Sequence, residues 1–345
     1  MKYLICQEWK NTKGNHAGMV HLCKLIMNKN PEDYKVIIVP DIIIYFSNKI
    51  MNSFQGKMQS YLYNILYFFI TLKLLLKIKK GDTVFLLEYL LKEKNQFYLA
   101  KTLRFVFGNE IYIYGLAHLT PVILNKIFTK KELKGYSSVL DYNLTLGSSL
   151  SEYLISNGIE KEKVITTFHY VDTDYYYSTK KSINANSLTV IVMGMQMRDF
   201  SLISEIVKTL PDVKFVICSG LLEIENYFEG CSNTLIKGFM PEDDLKKEMD
   251  KADISLNLMI DTVGSNVITT SMAMGLVNVV SNVGSISDYC SSSNAFFCNT
   301  TQEFSKAIDV LNKNRNLLQT MKIASLERSK SFNFDNFNKT IVDLK

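Results

Sequence analysis

Several things are scarce or missing in this 345-residue chain. It has five prolines, 16 glycines and one tryptophan, which excludes collagen-like and low-complexity architectures. Its six cysteines, Cys6, Cys23, Cys218, Cys231, Cys290 and Cys298, form no CxxC pair, and no histidine stands at zinc-ligand spacing from one. Most lie inside apolar runs, as buried free thiols of a reducing compartment do. No GxGxxG and no GxxxxGK[ST] occurs, so the classical dinucleotide and P-loop classes are excluded. The most apolar stretch, Tyr61–Lys80, is broken by Asn64 and Lys73 and is too short to span a bilayer. The opening Met1-Lys2-Tyr3-Leu4-Ile5-Cys6 reads as a strand and reaches Glu8 and Lys10 too soon for a secretory leader, so a cytoplasmic location is expected. A net charge of +5 is too mild to argue for a nucleic-acid partner, and none is expected.

What is present is an alternation. Short β-rich apolar runs, such as Lys2–Gln7, Thr83–Tyr89, Leu188–Gly194, Asp253–Leu258 and Val277–Asn282, alternate with helix-period segments along the whole length. Continuous apolar strands separated by helices indicate parallel sheets covered on both faces. The length predicts two domains. A polar, period-free stretch, 175–187, reads as the linker between residues 1–174 and a second α/β domain, 188–327. Residues 1–177 hold 22 Lys and Arg against 15 Asp and Glu, while residues 178–345 hold 17 against 19. The two halves therefore present surfaces of different charge. In doubly wound domains ligands sit at the carboxyl ends of strands, which makes a central cleft the expected site.

Several constellations bear on chemistry. Gly14, Asn15 and His16 follow the first strand and precede a helix at Met19, where the backbone can approach a ligand; an ordinary strand-to-helix turn is the plain alternative. His118 follows a strand end and can bond a sugar hydroxyl, or it can simply pack there. Lys73, Lys77 and Lys80 fall at i, i+4 and i+7, one basic stripe on the otherwise apolar helix read over Tyr61–Lys80, with Lys126, Lys130, Lys131 and Lys134 in the same half. They read either as a contact with an anionic membrane surface or as the wet edge of a buried helix. Asp172-Thr173-Asp174 spells a DxD, read here as a turn at the domain junction, so no metal site is expected. Arg198 follows the first strand of the second half, where a cation suits a diphosphate; a surface ion pair is the alternative. Gly264, Ser265 and Asn266 open a helix after strand Asp253–Leu258, offering backbone N–H groups to a phosphate or sugar oxygen.

The order of four segments resembles a known family, the retaining glycosyltransferases of the GT-B fold in the large group called family 4. Asp141–Asp174, with Ser148-Ser149, Ile159 and Val171-Asp172, is similar to its "strand, Ser, helix, nGVD" junction. Val192-Met193-Gly194 through Ile217 resembles its "vGr…pdv…ivG" stretch, and Gly238 through Ile254 its "lG.v…el…adv" stretch. Ser271-Met272-Ala273-Met274-Gly275 through Gly284 resembles "EAMAxGxPVVasdvGg", and Phe332-Asn333-Phe334 stands where "fsW" is common.

The resemblance implies two Rossmann-like domains facing a cleft, with a C-terminal helix, about residues 328–345, crossing back onto the first. The first domain would be the acceptor side and the second the nucleotide-sugar side. It implies transfer from a nucleotide-sugar to a glycan or lipid-linked glycan acceptor with retention, of the kind used in bacterial surface polysaccharide assembly, with no metal or other cofactor. It implies donor binding by Arg198, Lys237, Gly238, Phe239, Met240, Gly264, Ser265, Asn266 and Thr270, and catalytic places for His118 and Asp261.

The chain also departs from the pattern. Thr262 and Thr270 occupy the places of the family's two glutamates, and Met195 that of its arginine. Under the resemblance Asp261, beside the first of these places, would replace the glutamate, and Arg198 would supply the diphosphate cation from a displaced position. Two other readings stay open: a non-catalytic sugar-binding or scaffold partner, supported by the missing glutamates, and a nucleotide-sugar epimerase, which would need carboxylates in those places.

Overall fold

The computed structural model describes residues 1–42, 52–91, 95–179, 187–342 and 344. It divides into two compact units, Met1–Thr167 with Thr340–Lys345, and Phe168–Lys339.

In the first unit, β1 (Lys2–Gln7), β2 (Tyr34–Val39), β3 (Thr83–Tyr89), β4 (Tyr112–Ala117), β5 (Tyr142–Thr145) and β6 (Val164–Thr166) form one parallel sheet, in the order β2-β1-β3-β4-β5-β6. Every residue of β3 is buried, as befits a strand covered on both faces. Between the strands run α1 (Met19–Lys29), α2 (Asn52–Leu75), α3 (Asn95–Phe107), α4 (Pro121–Ile127), α5 (Lys130–Ser137) and α6 (Ser148–Ser156). A capping box starts α5, with Thr129 and Glu132 satisfying each other's backbone N–H groups.

The lysine stripe is corrected here. Helix α2 ends at Leu75, so only Lys73 is helical. The chain then turns, and Asp82 accepts from the Lys79 N–H at 2.8 Å. Lys80 lies beyond that turn in an ion pair with Glu110 at 3.1 Å.

The second unit holds β7 (Thr189–Met193), α7 (Phe200–Thr209), β8 (Lys214–Cys218), β9 (Thr234–Lys237), α8 (Glu242–Lys251), β10 (Ile254–Asn257), α9 (Asn266–Ala273), β11 (Val277–Ser281), α10 (Ile286–Tyr289), β12 (Ala295–Cys298), α11 (Thr301–Lys313), α12 (Arg315–Ser329) and α13 (Phe334–Val342). Its parallel sheet runs β12-β11-β10-β7-β8-β9, the strand order of a Rossmann domain. Val190, Val192, Phe215, Ile217, Leu256 and Val279 pack against Ile203, Ile206, Phe304 and Ile308 of α7 and α11.

Caps mark the helix starts, with Asp199 on α7, Ser265 on α9 and Thr300 on α11 each accepting an N–H three residues on. The second unit begins at Phe168, ahead of the expected residue 188. Tyr175, Tyr176 and Ser178 of the expected linker donate to Asp243, Glu242 and Asp250 of α8; residues 180–186 lie outside the described residues.

The C-terminal segment is not one helix from 328. Helix α12 stops at Ser329, a tight turn follows, and Asn333 caps α13 by accepting from the Asn336 N–H at 3.0 Å. The last residues join the first unit, where Lys2 Nζ donates to the carbonyls of Ile341 and Leu344.

Candidate functional site

In a doubly wound sheet the strand order reverses at one point, and the two strands there splay open at their carboxyl ends. In the second unit that point lies between β7 and β10. The loop leaving β7 starts with Gly194 at φ +84 and reaches Met197 at φ +57. A left-handed methionine is strained, and such strain persists only where the surroundings hold it.

The next residue, Arg198, is turned back into the switch point. Its Nε donates to the Met193 carbonyl at 3.2 Å and its Nη2 to Asn257 Oδ1 at 2.9 Å. Nη1 is buried and has no hydrogen-bond partner among the described residues. Burial lowers the pKa of this arginine to about 10, so it remains charged at neutral pH. No carboxylate pairs with it among the described residues, which sets aside the surface ion-pair alternative. A buried cation held only by neutral groups is costly unless an anion completes it.

Asn257, which holds Arg198, is itself held. Its Nδ2 donates to Ser255 Oγ at 2.9 Å, and Ser271 Oγ of α9 donates to the same Ser255 at 2.9 Å. A buried polar chain therefore runs from α9 through β10 to the guanidinium. Gly194 sits between this cation and the first turn of α9. A side chain there would begin 3.5 Å from Val267 and 3.9 Å from Arg198 Nη2. The cation and the positive end of a helix thus meet at one point, an arrangement suited to a diphosphate.

The other residues expected to bind a donor lie on α9, in the loop before it, and at and after the end of β9. Ser265 caps α9, and Thr270 Oγ1 donates to the Asn266 carbonyl at 2.6 Å, so this hydroxyl meets a ligand as an acceptor. Asp261 and Thr262 are buried in the loop after β10. Asp261 Oδ1 accepts from the Thr262 N–H, and Thr262 Oγ1 accepts from the Gly264 N–H at 3.0 Å. Gly264, at φ +92, lies flat against the Tyr289 ring. Lys237 is engaged by Glu248 at 3.0 Å, and Lys251 holds the same carboxylate at 2.7 Å. Burial favours protonation of Glu248, but hydrogen bonds from Lys251 and Lys237 outweigh it and keep its pKa below the usual range. Gly238 stands over the Gly220 carbonyl, and Gly220 packs on Met195; Phe239 is exposed and Met240 half-buried.

The first unit has its own switch point, between β1 and β3. A cavity of about 300 Å³ opens there, lined by Gln7 at the end of β1 and Trp9 beyond it, Glu88 near the end of β3, Tyr63 and Tyr67 of α2, and Gln96 of α3. It was not foreseen from the sequence. The only signal was one acid, Glu88, in the otherwise apolar Thr83–Tyr89 run. Burial raises the pKa of Glu88, against the opposing pull of His118 and a hydrogen bond from Trp9.

His118 lies past the end of β4, with Nε2 2.7 Å from the Leu87 carbonyl and 3.9 Å from Glu88. A carbonyl only accepts, so Nε2 carries the proton and Nδ1 is the accepting ring nitrogen. Gly14 makes a left-handed turn, Asn15 accepts from the Gly18 N–H, and the His16 ring lies 4.6 Å from that of His21. Asp172 Oδ1 accepts from the N–H groups of Asp174 and Tyr175, the turn expected of that segment.

A raised carboxyl pKa favours the folded state below the unfolded value of 4.5, and that gain is lost as pH rises through the folded value. Glu88→Gln removes the titration. The variant is expected to melt higher than wild type at neutral pH, with the gap narrowing as pH falls toward 4.5; melting curves across pH check this.

No curated protein matches the sequence. Residues 196–314 match the family model described as glycosyl transferases group 1. Among solved structures, Anabaena HepE, determined with UDP and glucose, superposes with a TM-score of 0.70 at 13% identity, covering 99% of this chain and 98% of that one. Sucrose-phosphate synthase from Thermosynechococcus elongatus gives 0.74 at 10% identity, covering 100% and 98%. A lipopolysaccharide outer core galactosyltransferase, WaaB, gives 0.68 at 12% identity, covering 99% of both chains. The second unit carries a group 1 glycosyltransferase domain over residues 196–314, and the two sheets are those of the GT-B fold.

Proposed function

We propose that this enzyme transfers a sugar from a nucleotide diphosphate-sugar to a glycan or lipid-linked glycan, with retention at the anomeric carbon, in the assembly of a surface polysaccharide. The observation that carries the reading is the convergence of Arg198 and the first turn of α9 at the switch point of a Rossmann-ordered sheet. The solved relatives that hold UDP or UDP-glucose support a nucleotide-sugar as the donor.

In this reading Arg198 and the N–H groups of Ser265 and Asn266 neutralise the diphosphate as the glycosidic bond breaks, with Gly264, whose own N–H is held by Thr262, shaping the turn that presents them. The leaving phosphate oxygen takes the proton of the attacking acceptor hydroxyl on the same face. The protein's contribution is then positioning and charge stabilisation. Thr270 accepts from a ribose hydroxyl. Gly238, Phe239 and Met240 border the nucleotide. Lys237 acts through its pairing with Glu248, which fixes the β9 end.

Asp261 shapes the loop under the transferred sugar, and His118 bonds one of that sugar's hydroxyls. The loop Gly14, Asn15 and His16 and the Glu88 cavity belong to the acceptor. Among the described residues the cavity walls are mainly aromatic rings, amides and leucines beside the Glu88 carboxyl, which suits the hydroxyls and apolar ring faces of a sugar.

A thermal-shift screen over UDP-, GDP- and CMP-sugars tests donor binding, since a ligand of the native state raises Tm by mass action. One donor class should raise it, and no shift with any of them would contradict the reading. Two further results are expected. His118→Ala should lower kcat by about 10–100-fold with Tm nearly unchanged, whereas a large Tm loss would make it a packing residue. Turnover should survive EDTA, because the diphosphate charge is assigned to Arg198 and α9 and the Asp172 carboxylate is engaged in its turn. Loss on chelation with rescue by Mn²⁺ would contradict that assignment.

A further inference from the structure

Helix α2 is apolar on two opposite faces. Tyr63, Tyr67, Ile70 and Leu74, spaced i, i+4, i+7 and i+11, are buried against the first unit. Tyr61, Ile65, Phe68 and Leu72 repeat the same spacing two residues earlier, about 200° around the helix, and stay in solvent with Leu62 and Phe69 beside them. Phe68 and Phe69 are 59% and 61% exposed, and Leu76, just past the helix end, is 88% exposed. The neighbouring helix α3 adds Tyr98, Phe105 and Val106 to the exposed apolar residues. A soluble surface seldom leaves so many large apolar side chains along one helix uncovered.

The charges indicate the occupant. Neither α2 nor α3 contains an aspartate or glutamate, and both carry lysines in solvent: Lys57 and Lys73 on α2 and Lys101 on α3, with Lys77 beyond the turn. A second copy of this chain docking face to face would set these lysines against one another. An anionic bilayer offers the opposite charge beside an apolar layer.

We propose that the exposed face of α2 lies in the headgroup layer of an anionic membrane, with Phe68, Phe69, Leu72 and Leu76 immersed and the lysines against lipid phosphates. The attachment rests on apolar immersion flanked by scattered lysines, in place of the lysine stripe expected from sequence. No helix among the described residues is long and apolar enough to cross a membrane, so the contact is peripheral. Only one consequence rests on the transferase reading: the acceptor is then lipid-linked.

Flotation with vesicles of phosphatidylcholine, with and without phosphatidylglycerol, tests the docking without any turnover. Wild type should float with the anionic vesicles at low salt. A Phe68→Ser, Phe69→Ser, Leu72→Ser variant should lose more than about tenfold in partitioning while keeping its Tm. A Phe69→Trp variant should be quenched by brominated lipid, whereas Trp9 in wild type is not.

Wild type that stays at the bottom of the gradient overturns the proposal. In that case sedimentation velocity distinguishes a self-associating face from a bare one. Failed flotation with intact nucleotide release sinks the docking alone. Flotation without release from any nucleotide-sugar upholds the docking and sinks the transferase reading.

Discussion

Replacing Arg198 by alanine is expected to lower kcat/KM for the nucleotide-sugar by about 10²–10³-fold, the usual loss when a preorganised donor to a developing anion is removed. The expectation follows from how the guanidinium is held. Main chain and an amide fix Nε and Nη2, while Nη1 remains buried without a hydrogen-bond partner among the described residues. An interaction that strengthens as charge builds on the leaving phosphate accelerates the bond-breaking step itself. Tm should move little, because the variant loses two hydrogen bonds and also the cost of an uncompensated buried cation. Arg198→Lys should recover only part of the rate, since an ammonium cannot hold Asn257 and the Met193 carbonyl and also reach the phosphate. Steady-state kinetics with a thermal melt on each variant reads both effects.

The second large effect falls on stability. Gly284 follows β11 at φ +55, and a Cβ there would stand 2.0 Å from the Thr262 carbonyl oxygen and 2.8 Å from Asp261 Oδ1. The nearest atom is backbone, pinned by the Ser285 N–H at 2.8 Å, so it cannot swing aside as a side chain would. Gly284→Ala should cost about 3–5 kcal/mol, combining a left-handed alanine with overpacking against a fixed carbonyl. Against a typical total of about 5–15 kcal/mol, that removes between about a fifth and all of the stability. Urea denaturation measures it directly. A loss below about 1 kcal/mol would mean that the loop gives way and that Thr262 is not fixed as described.

Much of the fold was legible in the sequence. The five strands named from the sequence lie within one residue of their expected bounds, because continuous Val, Ile, Leu and Phe runs between turn residues have few other solutions. The division into two doubly wound units was legible for the same reason, but not its place: the second unit begins at Phe168, and Tyr175, Tyr176 and Ser178 of the expected linker bond α8. The end of α2 was not legible. No glycine or proline marks Leu75, so a helical period ran on to Lys80 and drew a stripe that does not exist. Nor was the exposed side of α2. Periodicity finds an apolar stripe but not what covers it, and Tyr63-Tyr67-Ile70-Leu74 cannot be told by composition from Tyr61-Ile65-Phe68-Leu72.

In the site, Arg198 was recognisable from its place after β7, but its partners were not. Asn257 and Ser255 are single polar residues in a buried strand, and they read as tolerated exceptions until the sheet places them beside the guanidinium. Thr262 illustrates the converse. From the resemblance it reads as a replaced glutamate, while in the structure its hydroxyl and carbonyl are engaged in holding the Gly264 and Ser285 backbone.

The transferase account can be tested most directly by the release of nucleoside diphosphate. The purified chain is incubated with each of a panel of UDP- and GDP-sugars and a lipid-linked or glycan acceptor, and free nucleotide is followed by chromatography. The account predicts release with one donor class, dependent on acceptor and nearly abolished in Arg198→Ala. A donor that binds with no release under any condition would make the chain a sugar-binding partner. Conversion of the sugar to its epimer with the nucleotide still attached would make it an epimerase. Either result would contradict the account.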